Sequence, residues 1–129
     1  MGADSGSGPV EQLEILEAAP PNGGSGRPLL FVHGAFAGAW CWSKHFLPYF
    51  AAQGIRACAL SLSGHGNSPG RERLDWLSIA DYVRDLEQAV DAVGDDPVLV
   101  GHSMGGFVVQ KYLERLEAPG AVLMASVPP

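Results

Sequence analysis

The sequence predicts an α/β fold built on a predominantly parallel sheet with helices on both faces. Short apolar runs at residues 28–32, 55–62 and 97–100 have the pattern of strands that are buried inside a parallel sheet. Stretches with apolar residues at helical spacing separate these runs. Parallel neighbours require crossover helices, and right-handed crossovers distribute those helices over both faces of the sheet.

The N-terminal part of the chain is predicted to contain a tail, one strand and a turn. Residues 1–9 are rich in glycine and serine and are predicted to be disordered. Residues 10–16 alternate imperfectly between apolar and polar side chains and are predicted as a short strand. The segment 18–27 has the Pro, Asn and Gly density of a turn that leads into the strand at 28–32.

A helix and a strand are predicted next. Apolar residues recur at helical spacing over residues 39–53, where Gly54 supplies a C-terminal stop. Because Pro48 falls inside this window, the helix is expected to be kinked or to begin late. Residues 55–62 return to a mostly apolar strand, and residues 63–73 are predicted as a loop.

The clearest helix signal covers residues 78–93, whose apolar residues lie on one face at spacings of three and four. Ser78 is the predicted N-cap, and Asp81 lies in the first turn. Gly94 follows the last residue, as expected at the end of a helix.

One more helix and one more strand are predicted after residue 100. Residues 104–116 carry apolar side chains at helical spacing and end before Pro119 and Gly120. Residues 121–127 are an apolar strand, which would leave an unprotected sheet edge of the kind that natural proteins usually cover. We therefore expect an isolated chain to self-associate through residues 121–127, or to aggregate, unless something else pairs with this edge.

Composition and charge argue against several classes of function. The 129 residues carry a net charge of −6, and their eight lysines and arginines form no basic stripe, so nucleic acid is not an expected partner. The sequence has neither a membrane-length apolar run nor a signal-peptide pattern, which predicts no membrane partner and a cytoplasmic location. Cys41 and Cys58 show no metal-ligand spacing and are predicted to be buried free thiols.

The run GHSMG at residues 101–105 has the form of a nucleophile elbow, G-x-S-x-G. A predicted strand precedes it and a predicted helix follows it, which is the context that the motif requires. The serine of such a turn takes a strained backbone conformation, and side chains at positions 101 and 105 would crowd the turn. Ser103 is therefore predicted to be a catalytic nucleophile.

A second motif, HGAF at residues 33–36, ends the strand at 28–32. Backbone amides just past such a strand point toward the crevice where open α/β sheets bind ligands. The amides of Ala35 and Met104 are predicted to form an oxyanion hole, in which each donor is worth roughly 3 to 4 kcal/mol. The alternative is that His33 and Gly34 merely make a tight turn.

Three motifs together resemble the α/β-hydrolase-fold family. They are HGAFAGAWCW at residues 33–42, the G-H-G-x-S loop at residues 63–68, and GHSMGG at residues 101–106. The first is particularly similar to plant esterases, hydroxynitrile lyases and their bacterial counterparts. The resemblance covers residues 28–127 and corresponds to the N-terminal half of a family member.

The resemblance implies roles for individual residues. Ser103 would be the nucleophile, and Ala35 and Met104 would supply the oxyanion amides. Phe36 and Trp40 would lie near the acyl or alcohol pocket, although each is equally consistent with a core aromatic. We add His102, the neighbour of the nucleophile, as a further candidate for substrate contact.

Two members of the catalytic triad have no candidate in this chain. In the family the triad runs serine, acid, histidine along the sequence. After Ser103 the only acidic residues are Glu114 and Glu117, more than about 15 Å along the helix axis from the serine. No histidine follows Ser103, and none of the four present is expected to act as the base: His33, His45, His65 and His102.

The simplest explanation of the missing residues is truncation. A full family member would continue with a lid and two more strands that bear the acid and the histidine. Residues 10–129 would then be a partial α/β-hydrolase domain that stops before the lid and the last strands.

Two functions remain open. The first is a serine hydrolase that acts on an ester, thioester or related small-molecule acyl substrate through an acyl-enzyme, with no metal or organic cofactor. Lyases, perhydrolases and carbon–carbon hydrolases of the fold use the same elbow. The second is a non-catalytic small-molecule-binding or interaction module, which the missing base favours.

Overall fold

A single mixed sheet organises the computed structural model, which describes residues 12–24 and 26–128. Its strands are β1 (Ile15–Ala18), β2 (Leu29–Val32), β3 (Ala57–Leu60), β4 (Val98–His102) and β5 (Ala121–Met124). Their order across the sheet is β1-β3-β2-β4-β5, with β2 to β5 parallel and β1 antiparallel to β3. The predicted, predominantly parallel sheet is confirmed. The predicted tail at residues 1–9 lies outside the described residues.

Helices pack on both faces of this sheet, as predicted. They are α1 (Trp40–Ser43), α2 (Phe46–Ala52), α3 (Ile79–Val93) and α4 (Met104–Leu113). Successive residues of β2 point to opposite faces, so Phe31 packs with Trp42 and Leu47 of α1 and α2. Leu30 and Val32 instead join the core that α3 and α4 form on the other face. Both faces of the central strands are therefore buried.

The helix predicted at residues 39–53 is two short helices. α1 ends at Ser43, and α2 begins at Phe46 after His45. Pro48 lies in the first turn of α2, where a backbone N–H would have no intrahelical acceptor, so proline is tolerated there. This explains why the helix begins at Phe46 rather than earlier. Gly54 follows the helix with a φ of 88°, as the predicted stop requires.

The helix signal at residues 78–93 is confirmed in detail. The Ser78 hydroxyl accepts a hydrogen bond from the Asp81 backbone N–H, and the Asp81 carboxylate accepts one from the Ser78 N–H at 2.8 Å. This reciprocal pair is a capping box, which satisfies two otherwise unpaired donors at the helix start. Gly94 ends the helix with a φ of 72°.

Element boundaries differ from the predictions at several places. The first strand, predicted at 10–16, is found at Ile15–Ala18, where four residue pairs join it to β3. Residues 10 and 11 of the prediction lie outside the described residues. Part of the predicted loop at 63–73 continues into a 3₁₀ helix, Arg71–Trp76. The last helix and strand stop at Leu113 and Met124, short of the predicted 116 and 127.

The burial of one cysteine was predicted wrongly. Cys58 is buried in β3, where burial raises the pKa of its thiol to about 11. Cys41 is exposed, because consecutive residues of a helix point about 100° apart and Trp42 takes the buried side of α1. In the described part of the chain, no helix is long and apolar enough to cross a membrane.

Candidate active site

Ser103 lies at the sharp turn between β4 and α4 with a φ of 56° and a ψ of −119°. Positive φ is unfavourable for a residue with a side chain, so this backbone is strained. The Ser103 N–H donates to the Met124 carbonyl oxygen at 3.1 Å, and its own carbonyl accepts from Val127 N–H at 3.2 Å and Gly106 N–H at 3.0 Å. The strained serine backbone that the motif predicts is therefore present, and hydrogen bonds to both its N–H and its carbonyl oxygen hold it.

Two glycines allow the turn to close, as predicted. A Cβ at Gly101 would lie 2.6 Å from the Gly105 carbonyl oxygen and 2.7 Å from the Gly106 Cα. A Cβ at Gly105 would collide with the carbonyl oxygen of Val32. Because these neighbours are backbone atoms of β2 and α4, they cannot move aside as a flexible side chain could. A methyl group at either position would push the elbow out of shape.

An open cavity of about 400 Å³ adjoins Ser103. It is lined by His33, Gly34, Ala35, Ala37, Cys41, Trp42, Phe46, His102, Ser103 and Met124. Gly34 packs directly on the elbow, since a Cβ built on it would lie 3.2 Å from the Ser103 Cβ. Ala35 follows Gly34 directly and lines this cavity, and Met104 follows Ser103 as the first residue of α4. The fold thus brings both predicted oxyanion segments to Ser103, with Met104 among the first amides of its helix, which lack intrahelical acceptors.

His33 is a buried brace rather than a free base. Its Nδ1 lies 2.6 Å from the Gly34 carbonyl oxygen, and its Nε2 accepts a hydrogen bond from the Leu62 N–H at 3.0 Å. This arrangement requires a neutral ring that carries its proton on Nδ1. Burial lowers the pKa of His33 to about 4; the bond to Gly34 opposes the shift and the nearby His65 adds to it.

The other histidines also lie apart from the proton of Ser103. His65 is buried with its Nδ1 3.0 Å from the Ser63 carbonyl oxygen, as expected for a residue that braces its own loop. His45 is exposed at the start of α2, and His102 is exposed on the rim of the Ser103 cavity. Within residues 12–24 and 26–128, no imidazole hydrogen bonds to the Ser103 hydroxyl.

Phe36 and Trp40 line a neighbouring cavity of about 410 Å³, which shares Ala37 with the Ser103 cavity. Phe36 is 85% exposed and Trp40 is 60% exposed, so the alternative that they are core aromatics is wrong. Phe36 also has a positive φ of 60°, which is unusual for a bulky side chain. Their contact with substrate remains a prediction.

Two carboxylates near the site were not identified from the sequence. Asp85 is buried in α3 and accepts hydrogen bonds from the Ser63 N–H at 2.7 Å and the Ser63 hydroxyl at 2.9 Å. Burial raises the pKa of the Asp85 carboxyl, and the two bonds from Ser63 partly offset the shift. The sequence does indicate that Asp85 is buried, because it lies three residues after Tyr82 and therefore on the same, buried face of the helix.

The second carboxylate is Glu14, just before β1. It accepts hydrogen bonds from the Ser61 hydroxyl at 2.7 Å and from the backbone and side-chain amides of Asn67, each at 3.0 Å. Burial raises the pKa of Glu14, but these bonds outweigh burial and the net shift is downward. Across the described residues, no three His, Cys, Asp or Glu side chains are grouped to hold a metal ion.

We predict that Gly101→Ala lowers the free energy of unfolding by about 2 kcal/mol or more, because the added methyl group overlaps backbone atoms. Gly120→Ala is the matched control, since the nearest atom to its Cβ is Val98 Cγ1 at 3.9 Å. Urea denaturation of both variants tests this, and equal stabilities would contradict the tight packing described for the elbow.

We also predict a pH dependence that comes from His33. Its pKa of about 4 in the folded chain is below the roughly 6.5 of an unfolded histidine, so the unfolded state binds a proton first as the pH falls. The contribution of His33 is fully present above about pH 6.5 and is lost on acidification to about pH 4, by up to about 3 kcal/mol. Urea denaturation from pH 7 to 4 should show a shallower loss of stability in His33→Gln than in the wild type, and identical slopes would refute a buried neutral His33.

The chain is similar to known proteins in sequence and in fold. Residues 29–129 match the model of the alpha/beta hydrolase family. Esterase PIR7B of Oryza sativa subsp. japonica is 37% identical over 111 residues, which cover 81% of this chain and 40% of that protein. Methylesterase 3 of Arabidopsis thaliana is 40% identical over 80 residues, which cover 60% of this chain and 30% of that protein.

Among solved structures, a monoacylglycerol lipase from Paleococcus ferrophilus superposes with a TM-score of 0.71 at 24% identity, over 89% of this chain and 43% of the lipase. At that identity the likeness concerns the fold alone. The first curated relatives are likewise matched over only 30 to 40% of their own length. The match to the family model covers most of the 129 residues, and the chain belongs to the α/β-hydrolase family.

Proposed function

We propose that this chain supplies the nucleophile and the oxyanion-binding amides of a serine hydrolase that acts on an ester, thioester or related acyl substrate. The observation that carries the proposal is the strained Ser103 turn, packed against the HGA loop at the mouth of a cavity. The relatives named as esterases support the same class of reaction.

The reaction proceeds through an acyl-enzyme. The Ser103 Oγ attacks the acyl carbon and gives its proton to a general base, while the carbonyl oxygen becomes an oxyanion that accepts hydrogen bonds from Ala35 N–H and Met104 N–H. The bond to the leaving oxygen or sulfur then breaks, and the leaving group takes the proton from the base. Water attacks the acyl-enzyme in the same way and releases the acid and free Ser103.

Among the described residues, none is placed to serve as the general base or as the acid that orients it. His33 is excluded as the base, because both of its ring nitrogens are bonded to backbone groups and burial holds its pKa near 4. Glu114 is exposed and hydrogen bonds to Lys111, far along α4 from the serine. The proposal therefore assigns only half of the catalytic machinery to this chain.

Substrate binding is assigned to the two adjoining cavities. His102 lines the cavity that contains Ser103, and Phe36 and Trp40 line its neighbour, so a substrate arm that extends across Ala37 would contact both aromatic rings. The free thiols of Cys41 and Cys58 suit a reducing compartment, and we place the hydrolase in the cytoplasm.

A second candidate function is a non-catalytic ligand-binding module. The absence of any imidazole bonded to Ser103 within the described residues favours it, because an unassisted serine hydroxyl is a poor nucleophile near neutral pH. The two candidates differ in whether Ser103 reacts once a base is provided.

We predict that a fluorophosphonate probe labels Ser103 slowly in the purified chain and about tenfold faster or more when imidazole is added as an external base. Ser103→Ala should abolish labelling, whereas Ser43→Ala, which removes an exposed hydroxyl of α1, should leave it unchanged. Mass spectrometry of the labelled peptide identifies the residue. Failure to label Ser103 even with imidazole would favour the non-catalytic module.

We further propose that the isolated chain self-associates through the edge strand predicted at residues 121–127. β5 pairs with β4 on one side, and its other edge is unpaired within the described part of the chain. Val122 is 50% exposed and Leu123 is 45% exposed, on opposite faces of this short strand. An open apolar edge of this kind is a template for pairing with a strand from a second copy.

Sedimentation velocity across a concentration series tests this interaction. The wild-type chain should associate as its concentration rises, and Val122→Lys should stay monomeric because a charge at an edge opposes strand pairing. Leu113→Lys, which alters an exposed leucine of α4, is the control and should associate like the wild type. A monomeric wild type, or unchanged association of Val122→Lys, would overturn the proposal.

A further inference from the structure

We propose that Glu14 and Asp85 are positioning residues for the oxyanion loop (residues 33–39), which they hold through a strap (residues 61–63). The inference rests on the proposed function, because it concerns the same two amides around Ser103. Neither carboxylate lines the Ser103 cavity, and Asp85 lines neither of the two cavities, whereas Glu14 lines the adjoining cavity beside Phe36 and Trp40. Their influence on the reaction passes through consecutive hydrogen bonds within the carboxyl-end loops of the sheet.

The strap binds both ends of the oxyanion loop. At one end, the Leu62 N–H donates to His33 Nε2 at 3.0 Å, and His33 holds the Gly34 carbonyl through Nδ1. At the other end, the Ala39 N–H donates to the Ser61 hydroxyl at 2.9 Å. The residues that make these two contacts between strap and loop are almost completely buried: Leu62, His33, Ser61 and Ala39. Water therefore cannot replace a hydrogen bond that is lost there.

Glu14 fixes the orientation of the Ser61 hydroxyl. A serine hydroxyl has one proton, and Ser61 donates it to Glu14 Oε1 at 2.7 Å. This orientation leaves an oxygen lone pair free to accept from the Ala39 N–H. Without an acceptor at position 14 the hydroxyl can rotate, and its bond to the loop is no longer enforced.

Asp85 fixes the other end of the strap. Its Oδ2 accepts from the Ser63 N–H at 2.7 Å, and its Oδ1 accepts from the Ser63 hydroxyl at 2.9 Å. Because both carboxylate oxygens act as acceptors, the isosteric amide of asparagine can satisfy only one of the two donors. Ser63 follows Leu62 directly, so a shift of Ser63 moves the N–H that holds His33.

The loop between these attachments needs such support. It contains Ala35, the proposed donor, and Phe36, whose φ of 60° is strained for a bulky residue. Displacement of a catalytic group by about 1 Å can reduce a rate about 100-fold. Loss of either carboxylate, Glu14 or Asp85, should therefore slow the reaction of Ser103 although every reacting group is still present.

Native-state hydrogen exchange of the backbone amides, measured by NMR on the full chain, tests the proposal. Asp85→Asn should speed exchange of Leu62 and Ser63, and Glu14→Ala should speed exchange of Ala39, each by about tenfold or more. The amides of β4 should be unaffected. A merely structural role would instead accelerate exchange throughout the sheet in proportion to the lost stability.

Three further variants serve as controls for the hydrogen-exchange experiment. Glu14→Gln keeps an Oε1 acceptor for Ser61 and should restore slow exchange of Ala39. Asp91→Asn makes the same chemical change as Asp85→Asn at an exposed position of α3 and should behave as wild type. If Asp85→Asn does not fold, Ser63→Ala removes one of the same bonds and should give the same local acceleration.

Imidazole-assisted labelling of Ser103 gives the functional readout, and we expect Asp85→Asn and Glu14→Ala to slow it about tenfold. If the wild type is not labelled, the proposed function fails while hydrogen exchange still decides the positioning role. Exchange of Ala39, Leu62 and Ser63 that is unchanged in the folded variants, or accelerated equally across β4, would overturn the inference.

Discussion

The strained backbone of Ser103 is the constraint on which the rest of this site depends. A residue at such a φ costs on the order of 1 to 3 kcal/mol and persists only where its surroundings enforce it. Here the carbonyl oxygen of Met124 and the N–H of Val127 bind the backbone of Ser103 on one side. On the other side, Gly101 and Gly105 pack so closely on backbone atoms that neither has room for a Cβ. Ser103 is thus coupled to the register of the outermost parallel strand, β5.

Close packing also determines how the loops are arranged around Ser103. β2 lies between β3 and β4, so the loop that leaves β2 is packed against the elbow on one side and against the strap on the other. The backbone groups in this layer are buried and must be paired within the protein. His33, Ser61 and Asp85 provide partners for them, which makes these polar side chains part of the loop architecture. Such pairing would hold the proposed oxyanion amides in place before any substrate is bound, as electrostatic stabilisation of an oxyanion requires.

Much of this arrangement could be predicted from the sequence because its determinants are local. The N-cap Ser78, the first-turn residue Asp81, the stop at Gly54 and the glycines of the elbow act within a few positions of themselves, and all are found as predicted. The antiparallel pairing of β1 with β3 depends on contacts between residues far apart in sequence, which no local pattern encodes. The exposure of Cys41 depends on which side of α1 faces the core, and the burial of Trp42 sets that side. The hydrogen-bond partner of Asp85 is Ser63, which lies 22 residues away in the sequence. The sequence does not distinguish a pocket position from a core position for Phe36 and Trp40, because a large apolar ring suits either and its burial depends on tertiary packing.

The structure of a phosphonyl adduct tests the central claim most directly, because it records the proposed nucleophile and the proposed oxyanion donors in one state. After reaction with a fluorophosphonate, the account predicts phosphorus bonded to Ser103 Oγ. The phosphonyl oxygen should lie roughly 2.7 to 3.1 Å from the backbone nitrogens of both Ala35 and Met104. An adduct whose phosphonyl oxygen points to solvent, or one formed on a residue other than Ser103, would contradict the account.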